Sequence, residues 1–227
     1  MKQIFQLAHG PLVLDLPNPP EGMSFPVSHP LNYYFNAREK QQTIRYLDNV
    51  YDMAKTLPQG QDVVELFGGI GVFPTMLWPL LKPKSWVSVD IDPTNEPYYL
   101  LRDNPDARFQ VGNAYSFAVP PTAGIVYIDI GTGSLQSIGR NLDGRRPMYD
   151  QFLTNRVPHV MLTDVGYYWC HLKNHHPWYE QTFGAIPHKG NYAQLWDKWF
   201  KDNLGYQVVD ERHGGGCQLF HMVPHSK

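Results

Sequence analysis

Four polar side chains and one run of glycines stand out for their types and spacing. Glu65 leads into Leu66-Phe67-Gly68-Gly69-Ile70-Gly71, Asp90 lies 19 residues beyond Gly71, and Asn113 and Asp129 follow at the ends of later apolar segments. A glycine lacks the Cβ that would hold a ligand away from the backbone, and it takes up positive φ without strain. An acidic side chain at the end of the next strand can accept hydrogen bonds from both hydroxyls of a ribose. This spacing fits several nucleoside-containing ligands. Asp129 closes a buried-type segment, where a carboxylate can take a proton from an O–H or N–H group or cap the loop that follows. Asp164 has the same two readings.

The elements that must position these groups alternate along the chain. Residues 62–67 read as a strand, followed by the glycine turn and a short or kinked helix near 73–81. Pro74 suits the start of that helix and Pro79 interrupts its pattern. Further strands are predicted at 86–91, 108–111, 124–130 and 159–164, and Asp92-Pro93 behind the second strand suits a cap and first turn. Residues 206–213 and 217–223 flank Gly214-Gly215-Gly216, which calls for an antiparallel hairpin. Apolar residues at three- and four-residue steps predict helices over 37–57 and 191–203, with a further helix around 147–155. Tyr192, Leu195, Trp196, Trp199 and Phe200 in the helix over 191–203 follow a buried face and read as core.

Strands alternating with helices, then a terminal hairpin, predict an α/β fold: a Rossmann-like seven-stranded, mostly parallel sheet with a C-terminal antiparallel hairpin and helices on both faces. In such a sheet a ligand sits at the carboxyl ends of the strands, near the switch point. The glycine turn, Asp90, Asn113 and Asp129 all fall there. A chain of 227 residues fits one domain, 1–227, with a proline-rich extended lead-in over 1–35 and an aromatic and histidine-rich insertion over 166–190.

Composition narrows the function classes. Hydrophobic residues make up 42% and charged residues 18%, which places the chain among globular proteins. A formal charge of −2 argues against general polyanion binding while leaving room for a local basic patch. Cys170 and Cys217 form no CxxC, so neither a disulfide framework nor a thiolate zinc site is indicated. His171, His175 and His176 lack an acidic or cysteine partner at ligand spacing, so no metal site is expected. No apolar run reaches membrane-span length, and the start lacks the pattern of a signal peptide, so a cytoplasmic location is expected.

Two departures weigh against a dinucleotide. Pro74 stands three residues after Gly71 where the dinucleotide fingerprint has glycine or alanine, and Glu65 suits a cationic amino acid or sulfonium better than a pyrophosphate. The run Glu65…Gly69-Ile70-Gly71 resembles motif I of the class I S-adenosylmethionine-dependent methyltransferases. Val89-Asp90-Ile91-Asp92-Pro93 looks like motif II, Gly112-Asn113-Ala114 like the adenine-reading segment, and Ile128-Asp129 like the start of motif IV. The resemblance covers about 62–130 and the terminal hairpin. It implies S-adenosyl-L-methionine as cofactor, with Glu65, Phe67, Gly68, Gly69, Gly71, Asp90, Ile91, Asn113, Ala114 and Asp129 as its contacts. Within that set Gly69 and Gly71 would line the amino-acid and ribose portions. Asp90 would hold the ribose hydroxyls, Ile91 would pack on the adenine, and Asn113 would meet the adenine amino group. Asp92, past the strand end, suits a helix cap instead. Asp129 is the candidate catalytic group.

The acceptor is less defined. The chain has Asp129-Ile130-Gly131-Thr132 where DNA amino-methyltransferases resemble one another in Asn-Pro-Pro-Tyr or Asp-Pro-Pro-Tyr, and no cysteine follows a proline as the cytosine-C5 enzymes require. Tyr167, Tyr168, Trp169, Trp178 and Tyr179 alternate with His171, Lys173, His175 and His176, a composition suited to stacking on bases and contacting phosphate. Arg140, Arg145, Arg146 and Arg156 can extend that patch. A nucleic-acid acceptor is favoured over a small molecule. A binding protein that keeps the fold without turnover and a nicotinamide-dependent oxidoreductase are the alternatives.

Overall fold

The computed structural model describes residues 2–15, 37–129, 155–164, 197–198, 200–202, 204–214 and 217–226. Two strands open the chain: β1 (Lys2–Leu7) and β2 (Gly10–Asp15) pair antiparallel from Lys2↔Asp15 to Leu7↔Gly10. Helix α1 (Ala37–Ala54) follows. Then come β3 (Asp62–Leu66), α2 (Val72–Leu81), β4 (Ser85–Asp90), a 3-10 helix over Pro93–Tyr98, β5 (Ala107–Val111), β6 (Ala123–Asp129) and β7 (His159–Asp164). The chain closes with β8 (Tyr206–Gly214) and β9 (Cys217–Pro224).

Seven strands form one sheet in the order β5-β4-β3-β6-β7-β9-β8. The pairs β3–β4, β3–β6, β4–β5 and β6–β7 are parallel, while β9 runs antiparallel to both β7 and β8. The predicted seven strands and the single reversed strand are therefore present. The chain leaves β3 toward β4 and β5 on one side, and later returns through β6 to build the other side. The switch point accordingly lies between β3 and β6.

Both faces of the sheet are covered, which explains strands that are apolar on both sides. Val64, Leu66, Val126, Ile128 and Leu162 pack on one face with Phe200 and Leu204, which belong to a helical segment. Val63, Ile125, Tyr127 and Met161 pack on the other face with α1 and α2. Much of the helices expected over 147–155 and 191–203, and all of the insertion at 166–190, lie outside the described residues.

Three local outcomes differ from the sequence expectation. The proline-rich lead-in begins with the β1–β2 hairpin, whose Phe5, Leu12 and Leu14 bury against Leu47, Val50, Met53 and Ala54 of α1. His9 at the hairpin turn stacks on Tyr51 of α1 (ring centroids 4.1 Å apart), and Ala8 N–H donates to the Asp48 carboxylate (2.8 Å). Helix α1 ends at Ala54 because Leu57 N–H bonds Ala54 C=O (3.0 Å), closing the chain in a tighter turn. Helix α2 starts at Val72, so Pro74 occupies its third position, where the backbone N–H has no partner within the helix in any case.

A two-stranded hairpin has little stability alone, so its docking on α1 should carry it. Phe5→Ala, at a site 0% exposed, should lower the unfolding free energy by about 3–5 kcal/mol. Ile4→Ala, at a site 49% exposed on the outer face, should change it by under about 0.5 kcal/mol. Equal effects in chemical denaturation would show that the hairpin is not docked.

Candidate functional site

Directly after β3 the backbone turns through unusual conformations. Phe67 has φ 66°, Gly69 φ 51° and Gly71 φ 81°, so a side chain sits in the left-handed region at a position that favours glycine. Phe67 is held there by its ring, which meets Tyr115 edge-on (centroids 5.2 Å apart) and packs on one core face. The glycines serve different ends. A Cβ on Gly68 would lie 2.7 Å from Ser88 Cβ, and one on Gly71 would lie 2.5 Å from the Tyr99 ring. Those two are required by the protein's own packing. A Cβ on Gly69 would meet nothing within 4 Å, so this glycine presents open backbone outward.

Asp90, at the end of β4, is braced by backbone donors. Gly69 N–H donates to its Oδ2 (3.0 Å) and Asp92 N–H to its Oδ1 (2.9 Å). Each oxygen keeps a further lone pair for an incoming hydroxyl. Ile91, next along, is 70% exposed, an uncovered apolar side chain beside that carboxylate. Asp92 caps the 3-10 helix by accepting from Thr94 N–H (2.9 Å), as its place past the strand end implied. Gly112 N–H donates to Asp90 C=O (2.8 Å), which brings the Asn113 loop alongside. Asn113 Oδ1 accepts from Tyr115 N–H (3.0 Å) and shapes that loop, while Ala114 is buried in the core.

Glu65 is 0% exposed and lies below the turn. Its Oε2 accepts from Trp86 Nε1–H (3.1 Å) and from the Ser88 hydroxyl (2.5 Å), and Ser88 also meets the Tyr99 hydroxyl at 3.0 Å. Oε1 is buried without a hydrogen-bond partner among the described residues. Burial, reinforced by the carboxylates of Asp129 and Asp90 and only partly opposed by the two donors, pushes the Glu65 carboxyl up to about 8. Glu65 is then neutral near pH 7, an acid that braces the turn from beneath.

Asp129 ends β6 beside Thr163 of β7. The Tyr46 hydroxyl, from α1, donates to Asp129 Oδ1 (3.2 Å) and also meets the hydroxyls of Tyr127 (2.5 Å) and Thr163 (2.6 Å). Burial and the Asp129 charge raise Tyr127 well above the usual phenol range, so it remains protonated. Gly69, Asp90, Ile91, Asn113 and Asp129 thus lie at one edge of the sheet, with Glu65, Gly68, Gly71 and Ala114 buried behind them. An open cleft of about 370 Å³ near Asp62, Ser85, Asp106 and Arg108 lies at the other, amino-terminal ends of the strands and holds none of these residues. Sequence reading missed Tyr46, Tyr127, Thr163, Trp86, Ser88 and Tyr99. The only available signal was their strand and helix register, which marks them as inward-facing without saying what they meet.

No family model matches the chain. No curated protein matches it either. Among solved structures it is similar to an S-adenosylmethionine-dependent methyltransferase from Aquifex aeolicus (TM-score 0.54, 13% identity, 88% of this chain and 100% of that one). It is similar also to a candidate RNA methyltransferase from Pyrococcus horikoshii (TM-score 0.52, 15% identity, 80% of this chain and 84% of that one). A third likeness is to a candidate tRNA (m1A22) methyltransferase from Streptococcus pneumoniae in complex with S-adenosyl-L-methionine (TM-score 0.50, 13% identity, 79% of this chain and 74% of that one). These likenesses establish a Rossmann-like fold for the chain. No helix among the described residues is long and apolar enough to cross a membrane.

The state of Glu65 has a measurable consequence. Between its ordinary value of 4.5 and about 8, Glu65 is ionised in the unfolded chain but protonated in the folded one. The folded state then binds more protons, so stability falls as pH rises through that window and levels off above it. Glu65→Gln should flatten this decline. A Glu65→Gln variant whose urea denaturation follows the same pH dependence as the wild type would show the carboxyl to be ionised in the fold.

Proposed function

We propose that the chain is an S-adenosyl-L-methionine-dependent methyltransferase that acts on a nucleic acid in the cytoplasm. The observation that carries this reading is the Asp90 carboxylate. It is fixed from behind by Gly69 N–H and Asp92 N–H, stands next to the exposed Ile91, and sits one strand from the switch point. A carboxylate with two oriented, accepting oxygens beside an apolar shelf fits a ribose and its base. The open backbone at Gly69 fits close approach by the part of the ligand next to that ribose.

A dinucleotide fits less well. Its pyrophosphate needs the free N–H groups at the start of the helix after the glycine turn. Here Val72, Phe73 and Pro74 are all buried and Pro74 has no N–H.

Bound S-adenosyl-L-methionine supplies an electrophilic methyl carbon on a sulfonium, whose C–S electron pair returns to sulfur as the methyl leaves. Asp90 and Ile91 hold the nucleoside end, Asn113 and Ala114 border the base, and the segment Phe67 to Gly71 lines the remainder. Asp129 accepts the proton released from the acceptor N–H or O–H group as that group's lone pair takes the methyl. Support for a nucleic-acid acceptor comes from the aromatic and basic composition of residues 166–190 and from the RNA and tRNA named for two structural neighbours.

Calorimetry with S-adenosyl-L-methionine, its demethylated product and NAD should give binding of the first two and none of the third. Asp90→Ala should weaken cofactor binding by about 1–3 kcal/mol through loss of the carboxylate acceptor. Binding of NAD alone would sink the reading. Binding of S-adenosyl-L-methionine without transfer of labelled methyl to DNA, RNA, protein or metabolite pools would favour a non-catalytic binding protein.

A further inference from the structure

Three hydroxyls and one carboxylate meet at the carboxyl ends of β6 and β7, and the carboxylate sets a direction for the hydrogen bond it receives. An ionised carboxylate only accepts hydrogen bonds, so Tyr46 spends its single proton on Asp129. The shorter contacts at Tyr46, to Tyr127 (2.5 Å) and Thr163 (2.6 Å), then need those two hydroxyls as donors. Both have a proton to give, and their contact with each other, at 3.3 Å, is longer than the contact each makes with Tyr46. With Tyr127 and Thr163 donating to Tyr46 and Tyr46 to Asp129, the hydroxyls form a chain directed at the carboxylate, and such chains polarise one another. The Tyr46 ring is itself held by Phe73 of α2, edge-on with centroids 5.7 Å apart, and Phe73 by Tyr127 at 4.8 Å. Phe73 stands two residues behind Gly71, so the same ring joins the glycine turn to the cluster.

We infer that Tyr46 is a positioning residue for Asp129: its hydroxyl, loaded by those of Tyr127 and Thr163, holds the carboxylate ionised and aimed as the acceptor of the proton that leaves the methylated group. What Asp129 does rests on the methyltransferase reading; that Tyr46 orients it rests on the geometry alone. The N-terminal helix is on this account part of the reacting site. The bond to Asp129, at 3.2 Å, is longer than the two contacts at Tyr46 that feed it.

Carbon-13 carboxyl NMR of the full chain, followed through a pH titration, reads the relation directly. Among the described residues the groups that act on Asp129 are Tyr46 from α1, Tyr127 from β6, Thr163 from β7 and Glu65 from β3. Glu65, pushed up to about 8, stays protonated while an ordinary carboxylate titrates. Tyr46→Phe keeps the ring against Phe73 and removes the donor, so the Asp129 midpoint should rise by about one pH unit as its charged form loses a hydrogen bond. Thr163→Val should raise it less, and Thr163→Ser, which keeps the hydroxyl, should restore it. An Asp129 midpoint in Tyr46→Phe equal to that of the wild type would overturn the inference. Calorimetry on the same proteins separates the two ideas. Tyr46→Phe should bind S-adenosyl-L-methionine as the wild type does, and loss of binding would overturn the positioning role by placing Tyr46 in the cofactor's seat. A wild type that does not bind would overturn the methyltransferase reading, and the Asp129 midpoint would still decide whether Tyr46 orients the carboxylate.

Discussion

The turn after β3 keeps its shape because of a buried acid beneath it. Glu65 receives Trp86 Nε1–H and the Ser88 hydroxyl, and there is no room for any side chain at Gly68 above that pair. A buried carboxyl is tolerated when it is hydrogen-bonded and neutral, and burial raises this one until it is neutral. The layer above inherits its position. Phe67 is forced to positive φ, Gly69 turns its N–H to Asp90, and Tyr99 closes against Gly71. Disturbing the layer below would move Asp90 and the open backbone of Gly69 together.

Three carboxyl groups near one sheet edge are thereby set to different tasks by their partners. Asp90 faces outward and is oriented by backbone N–H groups. Asp129 is oriented by side-chain hydroxyls brought from α1, β6 and β7. Glu65 is sealed within the sheet. Like charges at this separation disfavour one another's ionisation, and the most buried group is the one that gives up its charge. The division leaves one neutral group, Glu65, as support beneath the turn.

The N-terminal part of the chain is tied to the same arrangement. The hairpin of β1 and β2 buries Phe5, Leu12 and Leu14 on α1, and α1 carries Tyr46 to Asp129. Alternation of buried and exposed residues in β2 was present in the sequence, with Leu12 and Leu14 on one side. The density of prolines farther along the lead-in hid it. Pro11 is tolerated because this is a two-stranded sheet, in which a strand always has a free side for the missing donor.

Groups separated by one turn were legible from the sequence. The glycine run, the Asp92 cap and the terminal hairpin each depend on spacings of a few residues, which backbone geometry alone dictates. So did the order of strands and helices, because apolar runs of strand length and helical periodicity mark two-sided burial. Side-chain meetings across the sheet were not legible. Tyr46 lies 83 residues before Asp129 and 117 before Thr163, and no periodic pattern relates them. Glu65 looked like a group facing a cationic ligand, and only packing reveals that it faces Trp86 and Ser88 instead. The sequence by itself determined the strand ends and the turn that carry the polar groups. The tertiary structure decided that Glu65 is neutral and which way the polar groups point, because protonation and orientation depend on neighbours supplied by distant parts of the chain.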